Sequence, residues 1–180
     1  MQPSIFSLVS LLLAGTSFTG FVGAFPTQVE DGVQSRNSSM NVLDARGLSL
    51  KVGSYPETPA DCPETNNPGF QRKDAHTYTT NQIKAAYVTG ARLAAEGKTL
   101  GANKYPHDFG NNELLPFPCG SNKMEFVIQD NGHIYNGENA RELPDRVVFE
   151  YNESKTEFLV KFCGVMRHGP NQDFLDCPNN

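Results

Sequence analysis

The sequence contains no tryptophan, only four cysteines, and no long apolar run after its first two dozen residues. Cys62, Cys119, Cys163 and Cys177 are far apart, and none forms the C-x-x-C pair that is typical of zinc or redox motifs. The histidines show no i, i+4 ligand spacing, so we expect no metal and no cofactor. The net charge of −5 argues against a protein that coats nucleic acid, because such binding needs many phosphate contacts. A site that binds one phosphate locally remains compatible with this charge.

Residues 1–24 have the pattern of a secretory signal peptide. They contain an apolar run at 5–13 and small residues suited to cleavage before Phe25, although they lack the usual lysine or arginine. The run is too short and too interrupted for a membrane anchor, and no later segment has the pattern of a transmembrane span. Residues 25–50 are polar and aperiodic, which predicts a disordered leader or pro-segment. Residues 51–180 remain as one predicted domain with a modest core.

Export changes the interpretation of the cysteines, because disulfide bonds persist in oxidising compartments. An even number of cysteines favours two disulfide bonds, and the sequence alone allows three pairings. Asn37 and Asn152 each begin an Asn-x-Ser sequon for glycosylation. We therefore predict a secreted, extracellular, disulfide-bonded glycoprotein.

The order of predicted elements indicates an α+β fold, with one amphipathic helix packed on an antiparallel β-sheet. Thr79 and Gln82 match a capping box, apolar residues then recur at helical spacing, and Gly97 is suited to end the helix. Turn residues separate the strands that are predicted after the helix. These strands cover residues 124–129, 133–137, 145–151 and 156–168. One face of the sheet would pack on the helix and leave the other free for a site.

The segment 103–113, NKYPHDFGNNE, places Tyr105 and His107 on either side of Pro106. Pro106 disfavours a helix, and side chains two apart on an extended segment share a face. The Gly-Asn-Asn that follows, residues 110–112, favours a turn, and a turn can present backbone N–H groups to a ligand. We expect the phenol and the imidazole to project into one space. The structural alternative is a strand end with two half-buried aromatic side chains.

Three further polar residues, Glu125, Arg146 and His168, lie at the ends of apolar strands. The structural interpretation is a cross-strand ion pair between Glu125 and Arg146, with His168 ending a strand in solvent. The functional interpretation is cleavage of RNA by internal attack of the ribose 2′-OH, which needs a base, an acid and positive charge at the phosphate. A carboxylate, an imidazolium and an arginine supply these without a metal. Glu125 opens and His168 closes neighbouring strand segments of the predicted sheet, so a substrate phosphate would fit between them.

The chain resembles the small secreted fungal ribonucleases of the microbial guanyl-specific (N-one/T-one) family, including its purine-preferring U-two branch. The resemblance runs from Tyr78 to Cys177 and is carried by TTNQIKAAYVTGARLAAEGKTLGANKYPH, EFVIQ, DRVVF, GVMRH and DFLDC, in that order. It implies a monomeric endoribonuclease, without membrane association, that cleaves single-stranded RNA after guanosine or purines through a 2′,3′-cyclic phosphate.

The resemblance also implies a role for individual residues. Glu125 corresponds to the general base and His168 to the general acid, with His107 beside the base to assist or replace it. Arg146 and Tyr105 correspond to phosphate-contacting residues. The remaining implied residues are Phe174 near the reacting phosphate and, for base recognition, Phe109, Gly110, Asn111, Asn112, Glu113 and Gln172. The cysteine placement is closer to the purine-preferring branch, which implies the pairs Cys62–Cys177 and Cys119–Cys163.

Departures from the family pattern weaken the case for strict guanine preference. Asn112 stands where guanyl-specific members usually have a lid tyrosine, and Gly110 stands where they have asparagine. The loop after His168 is shorter than is typical. The alternative from another class is a secreted effector on this scaffold that binds RNA or a host protein without cleaving RNA. Because the catalytic positions are all filled, we favour the active enzyme. A ribosome-targeting toxin would need lysine-rich loops and a basic surface.

Overall fold

The computed structural model of the protein describes residues 48–70 and 73–180, apart from the side chain of Gln172. The predicted signal peptide, most of the leader and the Asn37 sequon lie outside these ranges. The strands and the helix of the described chain are β1 (Ser49–Ser54), β2 (Ala60–Cys62), β3 (His76–Tyr78), α1 (Thr80–Ala95), β4 (His107–Asp108), β5 (Lys123–Val127), β6 (Asp145–Glu153), β7 (Glu157–His168) and β8 (Phe174–Cys177). Two short 3-10 segments cover Ala140–Glu142 and Pro170–Gln172. Within the described ranges, no helix is long and apolar enough to span a membrane.

Helix α1 begins and ends at the predicted residues. The Oγ1 atom of Thr79 accepts a hydrogen bond from the backbone N–H of Gln82, and Oε1 of Gln82 accepts one from the N–H of Thr79 at 2.9 Å. This reciprocal pair is a capping box. Gly97 follows the helix with a φ of 64°, a conformation that favours glycine, and its N–H donates to the Ala94 carbonyl at 2.9 Å. The helix prediction is confirmed.

The main sheet has the strand order β1-β7-β6-β5-β4, and β8 also pairs with β7. All of these pairings are antiparallel except that of β1 with β7. The predicted α+β class, with one helix on a mainly antiparallel sheet, is therefore confirmed. Strand β1 was not predicted, and it begins just before the predicted domain limit at residue 51. The limits of the signal peptide, leader and domain stay predictions.

The strand predicted at 133–137 is wrong, because this segment forms only an isolated bridge between Ile128 and Ile134. The side chain of Asn131 accepts a hydrogen bond from the His133 N–H and tightens the preceding turn. Gly137 then takes a φ of 102°, which interrupts an extended backbone. Local turn chemistry therefore overrides the apolar alternation of this segment.

The two faces of the sheet have different neighbours. Val147 and Phe149 of β6 belong to the main core with the helix, whereas Val148 belongs to a smaller cluster on the opposite face. This division follows the alternation of side chains along a strand. A Cβ atom at Gly90 would lie 2.7 Å from the Cβ of Phe126, so glycine permits the close approach of the helix to β5. The face away from the helix is left for a site.

Two disulfide bonds, Cys62–Cys177 and Cys119–Cys163, link distant parts of the chain. The first joins β2 to β8, and the second joins the loop before β5 to β7. The pairing that the family resemblance implies is therefore confirmed. The second bond holds the loop that precedes Glu125 against the strand that ends at His168.

Candidate active site

The strand register places His107, Glu125 and Arg146 on the face of the sheet away from the helix, whereas Tyr105 belongs to the main core cluster. His107 of β4 lies opposite Glu125 of β5, which lies opposite Val148 of β6. Arg146 is two residues from Val148 and shares its face. The sequence suggested that Glu125 and His168 lie on neighbouring strand segments, and this is wrong. Strand β6, which carries Arg146, lies between β5 and β7, so the two residues flank it.

Glu125 is buried and contacts His107. Its side chain is 6% exposed, and its Oε1 atom lies 3.2 Å from Nε2 of His107. The other carboxylate oxygen, Oε2, is buried and has no hydrogen-bond partner among the described residues. Burial raises the pKa of Glu125, the charges of Arg146 and His107 oppose this, and Glu113 adds to it. A buried carboxyl group with an unused oxygen and a raised pKa is suited to accept a proton from a ligand.

Arg146 is held by Tyr105 and the backbone. Its Nε and Nη2 atoms donate to the Tyr105 hydroxyl oxygen at 3.1 and 2.7 Å. Nη1 donates to the carbonyls of Leu143 and Asp145. Across the described chain, these bonds replace the ion pair with Glu125 that the structural interpretation required. Burial raises the pKa of Tyr105, against the effect of Arg146, so its hydroxyl retains a proton to donate.

Tyr105 and His107 share one face, as the sequence predicted. Their ring centroids are 4.6 Å apart, with an angle of 28° between the planes. The peptide bond between Tyr105 and Pro106 is cis. The stacked pair links Arg146, which donates to Tyr105, to Glu125, which contacts His107.

His168 lies among aromatic rings rather than in solvent. Its ring centroid is 4.4 Å from that of Phe70 and 4.1 Å from that of Phe174. Burial lowers the pKa of His168 to about 3, and the positive charge of Arg146 contributes in the same direction. Phe174 thus lies beside His168, and its place near the reacting phosphate stays a prediction. Sequence reasoning missed Phe70, whose only signal is an aromatic residue after the Pro-Gly turn of NNPGF.

The loop assigned to base recognition is braced by its own side chains. The Asn111 amide donates to the Leu115 carbonyl at 3.0 Å and accepts from the Leu115 N–H at 2.9 Å. The amide of Asn111 is therefore occupied within the loop. The neighbouring residues Gly110, Asn112 and Glu113 are exposed.

Phe109 and Gln172 are the two remaining residues that were predicted to bind the base. Phe109 is only 7% exposed and packs in the smaller cluster with Val148, Cys163 and Met166. Its ring makes an edge contact with Phe174 at 5.5 Å between centroids. Its stacking role stays a prediction, because the ring is used for packing. The side chain of Gln172 lies outside the described part of the structure.

A buried network next to the site was not predicted from the sequence. Arg167 is 1% exposed and donates to both carboxylate oxygens of Asp145, at 2.6 and 2.8 Å. The Tyr78 hydroxyl donates to the same carboxylate at 2.6 Å. Because Arg167 follows Met166 in β7, it points away from the face that carries the site. This network joins β3, β6 and β7 beneath His168.

Comparisons with known proteins agree with this fold. A family model described as ribonuclease matches residues 66–177. Guanyl-specific ribonuclease T1 of Aspergillus oryzae is 30% identical over 105 residues, which cover 57% of this chain and 74% of that protein. Guanyl-specific ribonuclease Ap1 of Aspergillus pallidus is 34% identical over 95 residues, which cover 53% of this chain and 88% of that protein. Extracellular guanyl-specific ribonuclease Fl1 of Gibberella baccata is 25% identical over 105 residues, which cover 57% of this chain and 90% of that protein.

The helix packed on a mainly antiparallel sheet, together with these matches, defines the chain as an endoribonuclease. Within this class, the chain belongs to the guanyl-specific fungal ribonuclease family.

Proposed function

We propose that this protein is a secreted endoribonuclease that cleaves single-stranded RNA on the 3′ side of guanosine, or of purines more broadly, without a metal. The observation that carries the proposal is the row of groups on the face of β5 and β6 away from the helix. There, Glu125 has an unused buried oxygen beside His107, and Arg146 is fixed by Tyr105. Secretion is supported by the signal-like segment 1–24 and by the two disulfide bonds.

The proposed reaction is a transesterification followed by hydrolysis. Glu125 accepts the proton of the ribose 2′-OH, and the 2′-oxygen attacks the phosphorus. The bond to the 5′-oxygen of the next nucleotide breaks, and His168 donates a proton to that oxygen. Water then opens the 2′,3′-cyclic phosphate with the two proton transfers reversed. His107 is within hydrogen-bond distance of Glu125 and is positioned to share or replace its role as base.

Arg146 and Tyr105 are proposed to stabilise the charge that develops on the phosphate. A guanidinium stays charged throughout the reaction and offers a planar set of donors. Because Arg146 is fixed by Tyr105 and two backbone carbonyls, little reorganisation is needed when the charge develops. The Tyr105 hydroxyl accepts from Arg146 and keeps its own proton for a phosphate oxygen.

Cleavage after each nucleotide tests the proposal. In EDTA, the protein is expected to cleave RNA to fragments that end in guanosine 2′,3′-cyclic phosphate, with weaker cleavage after adenosine. Stacking contributes about 1–3 kcal/mol per base but discriminates little, so preference depends on hydrogen bonds at the exposed Glu113 and the loop backbone. Dinucleotides with each of the four 5′ bases provide the measurement. Equal cleavage after pyrimidines and guanosine would contradict the assigned base site, and binding without cleavage would support the effector alternative.

The dependence of kcat/KM on pH is expected to be bell-shaped, with limbs assigned in an unusual way. Ordinary pKa values of about 4.3 for glutamate and 6.5 for histidine would assign the acid limb to Glu125. Here burial raises the pKa of Glu125 and lowers that of His168 to about 3, so His168 sets the acid limb. Below it both groups hold protons, and above the alkaline limb both have lost them. Between the two limbs, a constant minor fraction of the enzyme has the proton on His168 and none on Glu125, and this form is the active one.

Replacing Glu125 with glutamine is expected to slow the cleavage of both natural and activated substrates. A proton-transfer group that acts alone typically contributes about 10²–10⁴-fold to the rate. The loss of rate in Glu125→Gln should be smaller than this, because His107 remains as a base. Single-turnover rates of Glu125→Gln, and of the double variant with His107→Ala, measure this. The double variant should be slower than either single variant. Glu157→Gln, at an exposed carboxylate, is the control and should retain the original rate. A wild-type rate for Glu125→Gln would exclude Glu125 as the base.

A further inference from the structure

The segment 65–70, which precedes β3, is attached to the end of β7 that carries His168. The Thr65 hydroxyl donates to the backbone carbonyl of His168 at 2.6 Å, and the Asn67 amide donates to the carbonyl of Gly169. Asn67 and Thr65 are both about 2% exposed, so these bonds are shielded from water. Two side chains of one segment therefore donate hydrogen bonds to the consecutive backbone carbonyls of His168, the proposed acid, and Gly169.

The same segment sets the position of the Phe70 ring. The Asn67 carbonyl accepts from the Phe70 N–H at 3.1 Å, and the Asn67 side-chain oxygen accepts from the Gly69 N–H at 2.7 Å. These bonds form a tight turn around Pro68 and Gly69. Phe70 leaves this turn with its ring stacked on His168, 4.4 Å between centroids and 24° between planes. The contact thus follows from a braced local structure and not from a chance approach of an exposed side chain.

Within the described ranges, no hydrogen bond at Nδ1 supports the orientation of the His168 ring. A catalytic imidazole is commonly oriented by a hydrogen bond from its second nitrogen to a carbonyl or carboxylate. The Nδ1 atom of His168 is buried and has no such partner within the described ranges. Contacts with Phe70 and Phe174 take the place of this hydrogen bond.

The charged groups around His168 disfavour its protonated form in the empty site. Arg146 of β6 acts on it with a positive charge. Asp145, the carboxylate of the same strand, is already paired with Arg167. From the β8 side the ring meets Phe174, which follows the exposed Asp173. The segment 65–70, TNNPGF, contains no titratable side chain, so it places no charge beside the His168 ring.

We propose that the segment 65–70 is a positioning element for the general acid. It fixes the plane of the His168 ring through Phe70 and keeps the ring dehydrated, so that His168 gains its proton when an anionic phosphodiester occupies the site. An anion close to a histidine favours the charged imidazolium and offsets the cost of burial. This inference rests on the proposed role of His168 as the acid. It adds Phe70, which lies outside the sequence blocks that carry the family resemblance.

The test is an NMR titration of the His168 ring in the full protein, with inorganic phosphate as the anionic probe. In the wild type, the midpoint should lie well below 6.5 without phosphate and rise when phosphate is added. In Phe70→Ala, the midpoint without phosphate should rise by about 1–3 pH units, because water reaches the ring. The acid limb of kcat/KM, which His168 sets, should move in the same direction. Tyr55→Ala removes an exposed aromatic ring elsewhere and should leave the midpoint unchanged.

A second variant keeps the test decisive if Phe70→Ala does not fold. Asn67→Ala removes the anchor on Gly169 and retains the phenyl ring, and it should raise the midpoint in the same direction. The proposal is overturned if a folded variant at either position titrates as the wild type does, or if Tyr55→Ala produces an equal shift. Full activity of His168→Ala would instead remove the proposed acid, while the titration would still show whether the segment controls the ring.

Discussion

Replacing His168 with alanine is expected to slow the cleavage of a guanosine dinucleotide by about 10²–10⁴-fold, the usual contribution of a proton-transfer group. The physical reason is the leaving group, because the 5′-oxygen of a ribonucleotide departs as a strongly basic alkoxide unless it receives a proton. His168 lies beside Phe174 at the end of β7, across β6 from Glu125, and is the second group proposed to transfer a proton.

An activated substrate separates this role from a structural one. An aryl phosphodiester releases a phenolate that leaves without a proton, so His168→Ala should lose much less activity on it than on the dinucleotide. Single-turnover kinetics on the two substrates compare the chemical steps directly. His133→Ala, which removes an exposed histidine from a turn, is the matched control and should retain activity on both. Equal losses on both substrates would exclude His168 as the acid.

Replacing Arg167 with methionine is expected to destabilise the fold by about 3–5 kcal/mol, which is typical when one partner of a buried ion pair is removed. The variant would leave the Asp145 carboxylate buried, with the Tyr78 hydroxyl as its remaining side-chain donor. It would also remove the donor to the carbonyls of Pro63 and Asp74, which lie in the connection between β2 and β3. Methionine fills a similar volume, so the loss of stability measures the removed ion pair and hydrogen bonds rather than a cavity.

Urea denaturation measures this loss as a change in the free energy of unfolding. Arg141→Met is the control, because Arg141 is exposed and its replacement should change stability by no more than about 0.5 kcal/mol. Arg167 points away from the site, so kcat of the folded variant should remain close to that of the wild type. A stability loss below about 1 kcal/mol would show that the buried pair contributes little more than an exposed one.

Short-range physical rules explain the features that the sequence predicted correctly. The capping box at Thr79 and the stop at Gly97 depend on residues within one turn of each other, and both formed as expected. The strand predicted at 145–151 depends on a short apolar run between turn residues, and β6 formed there. The disulfide pairing and the family came from blocks of sequence in a fixed order, and both were confirmed.

The errors and omissions arise where a side chain depends on distant parts of the chain. Period alone shows which residues share a face, but the register decides that Glu125 meets His107 and that Arg146 lies between Glu125 and His168. The ion pair of Glu125 with Arg146, which was the structural alternative, is replaced by hydrogen bonds from Arg146 to Tyr105.

Burial likewise depends on what covers a residue. The sequence by itself determined the helix, most of the later strands and the kinds of groups available for chemistry, whereas the cysteine pairing came from the family resemblance. Only the tertiary structure decided that Phe70, almost a hundred positions away in the chain, covers the His168 ring, and that Arg167 beside it is buried against Asp145. Desolvation is set by all neighbouring atoms together, so no local pattern encodes the lowered pKa of His168 or the raised pKa of Glu125.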